Sequence, residues 1–279
     1  MNPKYKLVAI DMDGTLLSND RTISAENKAA IRAASDLGAK IVICSGRSYQ
    51  SLRFFADEIG LRTPGNYVIA FNGGMILESD TDKIIYETRL DRALAMEIVE
   101  AAKPFSPAAA TIVYRDIKHI IVTPGIPNAD LYIQSSRTTP IFTDDINSEI
   151  TDDVQKVMLA GEWEDLQEPA AAISAQFEGR CNMAFSGPYL FECNELHTTK
   201  ASGLATLCTR LGIDMRETIA IGDQFNDLSM IQAAGLGVCM ANGADGVKEA
   251  ADYVTTRDCN HSGVAEVLQK FIIQRGQKS

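Results

Sequence analysis

The chain has 279 residues, 46% hydrophobic and 23% charged, proportions of an ordinary globular protein that exclude collagenous, coiled-coil and disordered chains. At about 150 residues per domain, this length suits one large domain or two smaller ones. Its 26 Lys and Arg against 37 Asp and Glu give a net charge of −11. That sign repels nucleic-acid backbones and anionic membrane surfaces, yet leaves a small anionic ligand open, because a few local cations or a bound metal can dominate one site.

No stretch approaches the ~18 consecutive apolar residues of a membrane span. The first apolar run, Leu7 to Ile10, stops at Asp11, short of the roughly 7–15 residues in the core of a secretory signal. The six cysteines (Cys44, Cys181, Cys193, Cys208, Cys239 and Cys259) form no CxxC pair and several lie in apolar segments. They are expected as reduced, buried thiols in a cytoplasmic protein.

Leu7 to Ile10 is a short unbroken apolar run, the mark of a strand buried on both faces of a parallel sheet. Ser24 can cap a helix that has Glu26 in its first turn, turns Ile31, Ala34 and Leu37 inward, and closes at Gly38. A second strand, Ile41 to Cys44, leads through Ser45-Gly46-Arg47 to a helix burying Leu52, Phe55, Ala56 and Ile59. Tyr67 to Ala70 is a third strand; a turn at Asn72-Gly73-Gly74 and extended pieces at 75–77 and 84–88 follow.

From about Asp91 the pattern changes. A helix carrying Leu94, Ile98 and Ala101 precedes paired extended segments at 111–114 and 119–122, and a less regular stretch runs through Asn147. Segment 157–160, a helical 163–177 region with an awkward Pro169, and strands at 181–186 and 189–193 continue this α+β style. Buried α/β alternation then returns: helix 200–211, strand 218–221, helix 227–234, strand 236–240 and a last helix to Phe271. The expected fold is a doubly wound, Rossmann-like α/β core, residues 1–82 and 191–279, interrupted by an inserted α+β domain at 83–190.

Two carboxylates, Asp11 and Asp13, follow the first strand at the carboxyl edge, where open parallel sheets bind ligands. Asp223 and Asp227 follow another apolar strand of the same kind. If both strands are central, these acids converge, and such a cluster requires a cation; hard oxygen ligands favour Mg²⁺ over zinc. Ser45, Gly46 and Arg47 offer a hydroxyl, a backbone N–H and a guanidinium suited to phosphate oxygens, and Lys200 opens a helix capped by Thr198 or Thr199. Each signal alone is an ordinary turn or a solvated lysine. Four in order, three of them at strand ends, are not.

With DMDGTL at 11–16, CSGR at 44–47, Lys200 and GDQFND at 222–227, and with SGPYLFE at 186–192 in support, the chain resembles the haloacid dehalogenase (HAD) superfamily of phosphohydrolases. Within it, the likeness is to the Cof-type, YidA-like sugar-phosphatase branch. The resemblance implies Asp11 as nucleophile and Asp13 as general acid and base. It also implies Mg²⁺ held by Asp11, the Asp13 carbonyl and Asp223 with Asp227 in support, and phosphate contacts from the Met12 backbone, Ser45, Gly46, Lys200 and Asn226. The insertion resembles a C2-type cap, in which Arg115, His119, Arg137 and Tyr189 are candidate substrate contacts, while Trp163 and His197 read as structural. Asn72 reads as a turn residue that could come near the substrate. Where the family commonly has glycine directly after the lysine, this chain has Ala201, with glycine delayed to Gly203.

The expected activity is Mg²⁺-dependent hydrolysis of small phosphorylated metabolites, sugar phosphates first among them. A phosphomutase or phosphotransferase on the same core, or a non-catalytic binder of phosphometabolites, are the alternatives. A GxGxxG after the first strand or a GxxxxGK[ST] motif would favour a nucleotide-binding module, and neither is present.

Overall fold

The computed structural model describes residues 4–106, 108–124, 129–187 and 189–274. Pro188 of the 186–192 stretch and residues 125–128 of the irregular segment lie outside them. The chain divides into two compact units, one of residues 4–45, 52–86 and 199–274, the other of 46–51 and 87–198.

The first unit is built on β1 (Leu7–Ile10), buried at every position, with α1 (Ala25–Asp36), β2 (Lys40–Cys44), α2 (Tyr49–Glu58) and β3 (Tyr67–Ala70) following. Ser24 caps α1 by accepting from the Asn27 N–H, one of the donors a helix start leaves unpaired. The antiparallel β4 (Met75–Glu78) and then β5 (Ile84–Glu87) extend this edge of the sheet.

The inserted segment supplies α3 (Arg92–Ala102), β6 (Ala110–Tyr114), β7 (His119–Val122), α4 (Ala129–Ser136), β8 (Thr139–Phe142), α5 (Ile146–Glu149) and β9 (Lys156–Ala160). It continues with α6 (Trp163–Phe177), β10 (Asn182–Gly187) and β11 (Leu190–Asn194). Its sheet runs β10-β11-β9-β6-β7-β8, antiparallel except for the parallel pair β7 and β8. The stretch that looked irregular in sequence thus holds a short α4–β8 crossover. One sheet face and the helices share a core that includes Ile98, Val113, Val157, Leu159, Ile173, Phe177 and Phe191. Pro169 does not break α6 because it lies on the buried stripe with Leu166, Ala170 and Ile173, where packing offsets the missing hydrogen bond.

The chain returns with α7 (Lys200–Leu211), β12 (Thr218–Gly222), α8 (Leu228–Ala233), β13 (Leu236–Cys239), α9 (Asp245–Ala250), β14 (Tyr253–Val254) and α10 (Gly263–Leu268). A π-type turn at Gln269–Ile273 replaces the end of the expected last helix. The eight strands order as β14-β13-β12-β1-β2-β3-β4-β5, parallel from β14 to β3. The chain winds outward on either side of β1, so the switch point of this doubly wound sheet lies between β1 and β12, the crevice where open α/β sheets bind ligands. Among the described residues, no helix is long and apolar enough to cross a membrane.

Candidate active site

Register brings the acids together. Ile10 pairs with Ile221 of β12 and Ile43 of β2, so Asp11 emerges beside Gly222-Asp223 on one side and Cys44-Ser45 on the other. Oxygen atoms of Asp11, Asp223 and Asp227 lie within 4.8 Å of one another, and all three residues are buried. Asp227 is held by its own loop, its Oδ2 accepting from the N–H groups of Asp223 (2.9 Å) and Gln224 (3.0 Å).

Lys200 joins them from the first position of α7. Its Nζ donates to Asp11 Oδ1 and to Asp227 Oδ1, each at 2.5 Å, with no exposed side-chain surface. Thr199 is the N-cap in a reciprocal box with Ser202, which fixes where the lysine leaves the helix. The delayed glycine has a use here: Gly203 meets the turn at Gly73, and a Cβ on Gly203 would stand 2.6 Å from Gly73 Cα. The backbone approach that seats the lysine helix lies at 203, and Ala201 instead directs its N–H toward Ser229 Oγ at 3.4 Å.

Burial, reinforced by Asp227, pushes the Asp11 carboxyl well above the usual range even though Lys200 opposes it. Burial and Asp227 likewise raise Asp223 to about 7, against a hydrogen bond from Thr15. For Lys200, burial favours the neutral amine, but Asp11 and Asp227 outweigh it and raise the group. One lysine does not satisfy three close carboxylates. An all-oxygen donor set of this size, partly buried, fits a hard divalent cation.

Thr15 Oγ1 donates to Asp223 Oδ1 at 3.0 Å, and Asn242 Nδ2 donates to the Gly14 carbonyl at 2.8 Å; the sequence analysis missed both. Gly14 has φ +73, and a Cβ there would stand 2.4 Å from Asp223 Oδ2, so only glycine lets the loop pass this close. Asp13 is exposed and Met12 is buried, its carbonyl accepting from Thr15 and Leu17. Asn72, in the left-handed region at φ 54, donates its N–H to the Ser45 carbonyl (3.0 Å) and accepts from Asn226 Nδ2 (3.4 Å). The turn at 71–73 therefore ties Ser45 to the 222–227 loop.

Gly46 and Arg47 fall in the other unit, where Arg47 Nη1 donates to Ser51 Oγ at 3.0 Å. Of the remaining candidates in the insertion, Arg115 and His119 both face Asp116, and Tyr189 and Arg137 are exposed. Trp163 stacks on Phe185, with centroids 4.9 Å apart. His197 is exposed beyond β11.

A parallel sheet whose switch point carries three acids and a buried lysine suits an enzyme that positions a charged group and a cation at its strand ends. Residues 8–268 match the family of haloacid dehalogenase-like hydrolases, and the chain belongs to that family as a Cof-type phosphatase acting on phosphorylated substrates. It is 31% identical over 276 residues to YxeH of Bacillus subtilis, covering 97% of this chain and all of that one. It is 30% identical over 269 residues to the 5-amino-6-(5-phospho-D-ribitylamino)uracil phosphatase YcsE of the same organism, covering 96% of each. A haloacid dehalogenase-like hydrolase from Bacteroides thetaiotaomicron superposes with a TM-score of 0.85 at 30% identity, over 95% of this chain and 99% of that one.

Proposed function

We propose that this phosphatase is Mg²⁺-dependent, hydrolyses small phosphorylated metabolites of the sugar-phosphate class, and does so through an aspartyl-phosphate on Asp11. The observation that carries the reading is the Lys200 ammonium bonded at once to Asp11 and Asp227, with Asp223 beside them.

Asp11 attacks phosphorus; the new O–P bond forms as the bond to the leaving alkoxide breaks, splitting one hard displacement into two. Asp13, exposed at the mouth of the loop, gives its proton to the leaving oxygen and then takes one from the water that cleaves the acyl phosphate. Lys200 keeps the Asp11 carboxylate oriented and, with the backbone N–H of Met12, the Ser45 hydroxyl, Gly46, Arg47 and Asn226, receives the equatorial oxygens. Asp11, the Asp13 carbonyl, Asp223 and Asp227 would hold the metal, which supplies charge neutralisation as the phosphoryl group approaches the acids.

The inserted segment, expected at 83–190 and forming most of the unit of residues 46–51 and 87–198, serves as the C2-type cap that selects the leaving group. A sugar-phosphate class is supported by the acidic net charge, which disfavours polyanions, and by relative YcsE, whose substrate is named as a phosphorylated ribityl compound. Six free, buried cysteines suit a reducing cytoplasm. Phosphate release from a panel of sugar phosphates, nucleotides and phospholipid headgroups, with Mg²⁺ and with excess EDTA, tests the reading. Rearranged product in place of free phosphate would turn it into a mutase.

A further inference from the structure

On β9 and β11 the alternation of side chains separates two faces. Val157, Leu159, Phe191 and Cys193 join the core under the helices, which leaves Lys156 and Glu192 on the opposite face beside Ile112, Tyr114 and Met158, two charges among buried, largely apolar neighbours. Both are buried, Lys156 at 0% and Glu192 at 2% exposure. Lys156 Nζ donates to Glu192 Oε1 at 2.8 Å and to the Gly46 carbonyl at 2.9 Å, and stands 5.2 Å from the centre of the Tyr114 ring. Ser186 Oγ donates to the same Glu192 oxygen at 2.7 Å. Two residues on, Ser48 Oγ donates to the Ser136 carbonyl at 2.6 Å.

Residues 46–51, the turn after β2 and the start of α2, therefore belong to the same compact unit as that sheet. We propose that Lys156, braced by Glu192, is a positioning residue for the phosphate-binding turn: by fixing the Gly46 carbonyl it fixes the plane of the Gly46–Arg47 peptide. In a trans peptide the Arg47 N–H points opposite that carbonyl, so one buried ammonium sets the direction of a donor intended for phosphate. The inference rests on the proposed function for the role of Gly46 and Arg47. It also assigns to the insertion a part in phosphate binding itself, separate from leaving-group choice. A buried ion pair is weak support for stability, since a well-packed apolar pair often does as well, and orienting the turn is the task an apolar pair could not perform.

Because removing one partner strands a buried charge, the informative variant is Lys156→Met combined with Glu192→Gln, with Lys156→Met alone beside it. Calorimetric binding of inorganic phosphate in the presence of Mg²⁺, thermal unfolding, and kcat/KM for p-nitrophenyl phosphate and three sugar phosphates are measured. The expected result is phosphate affinity at least ~10-fold weaker in the double variant, kcat/KM lower by one common factor of about 30–100 across all esters, and an unchanged melting temperature. Phosphate affinity within about twofold of the parent overturns the proposal. So does a loss that differs tenfold between leaving groups, which would make Lys156 a substrate contact. Absence of phosphate release by the unaltered protein counts against the proposed function, while the phosphate-binding comparison still decides this inference.

Discussion

Replacing Gly203 by alanine pits two effects of opposite sign against each other. An interior helix glycine costs about 1 kcal/mol relative to alanine, so with open space around it the substitution would stabilise the protein. At this position the new Cβ would lie 2.6 Å from Gly73 Cα, 3.0 Å from Ile69 Cγ2 and 3.1 Å from Gly73 O. Carbon atoms settle at about 3.5–4 Å, so α7 must retreat by about 1 Å from a backbone that has no rotamer to change. Overpacking of this kind costs about 1–3 kcal/mol, and with rigid neighbours the upper part of that range applies. The net expectation is destabilisation by about 1–2 kcal/mol, read as a lower urea midpoint. Lys200 begins the same helix and is bonded at 2.5 Å to two carboxylates, so a shift of about 1 Å should also reduce kcat/KM by about 100-fold. A Gly203→Ala protein with a raised urea midpoint and unimpaired hydrolysis of p-nitrophenyl phosphate would refute the close-approach argument.

Asp11→Asn should retain the fold and lose turnover by at least ~10³, about 4 kcal/mol of barrier, measured on fresh protein checked by mass for reversion to aspartate. Chelation should abolish phosphate release, Mg²⁺ should restore it, and Asp223→Ala should sharply raise the Mg²⁺ concentration required in a metal titration. Phe177→Ala empties a fully buried position in the core of the inserted unit and should cost about 3–5 kcal/mol by denaturant unfolding. At Glu266, burial opposes ionisation, but donors from Tyr253, Thr256 and Arg257 outweigh it and hold the carboxyl below its usual range. Its contribution is therefore complete above the unfolded pKa of about 4.3 and fades as pH falls through the lower folded value. Melting of Glu266→Gln against the parent should differ at pH 7, and the difference should shrink progressively as pH falls below about 4.3.

The core strands and the acids at their ends are legible in the order of residues alone. Leu7–Ile10 and Ile219–Ile221 are apolar at successive positions because both faces of a central parallel strand are covered, and a carboxylate soon after such a run lies at the sheet edge. Lys200 at a helix start is also legible there, with Thr198 and Thr199 both open as its cap, and the structure uses Thr199. The remaining features depend on partners distant in the chain. Strand register turned four aspartates into a buried cluster of three with Asp13 exposed. The tie from Ser45 through Asn72 to Asn226 spans three separate segments, and Asn72 there adopts a left-handed conformation that local spacing does not announce. Lys156 and Glu192 share their sheet face with the buried Ile112, Tyr114 and Met158, and the bond from Lys156 to the Gly46 carbonyl joins segments more than a hundred positions apart, which no local pattern announces. Periodicity records which face of an element is apolar, whereas the contacts made by a polar face are set by whatever the rest of the chain lays upon it.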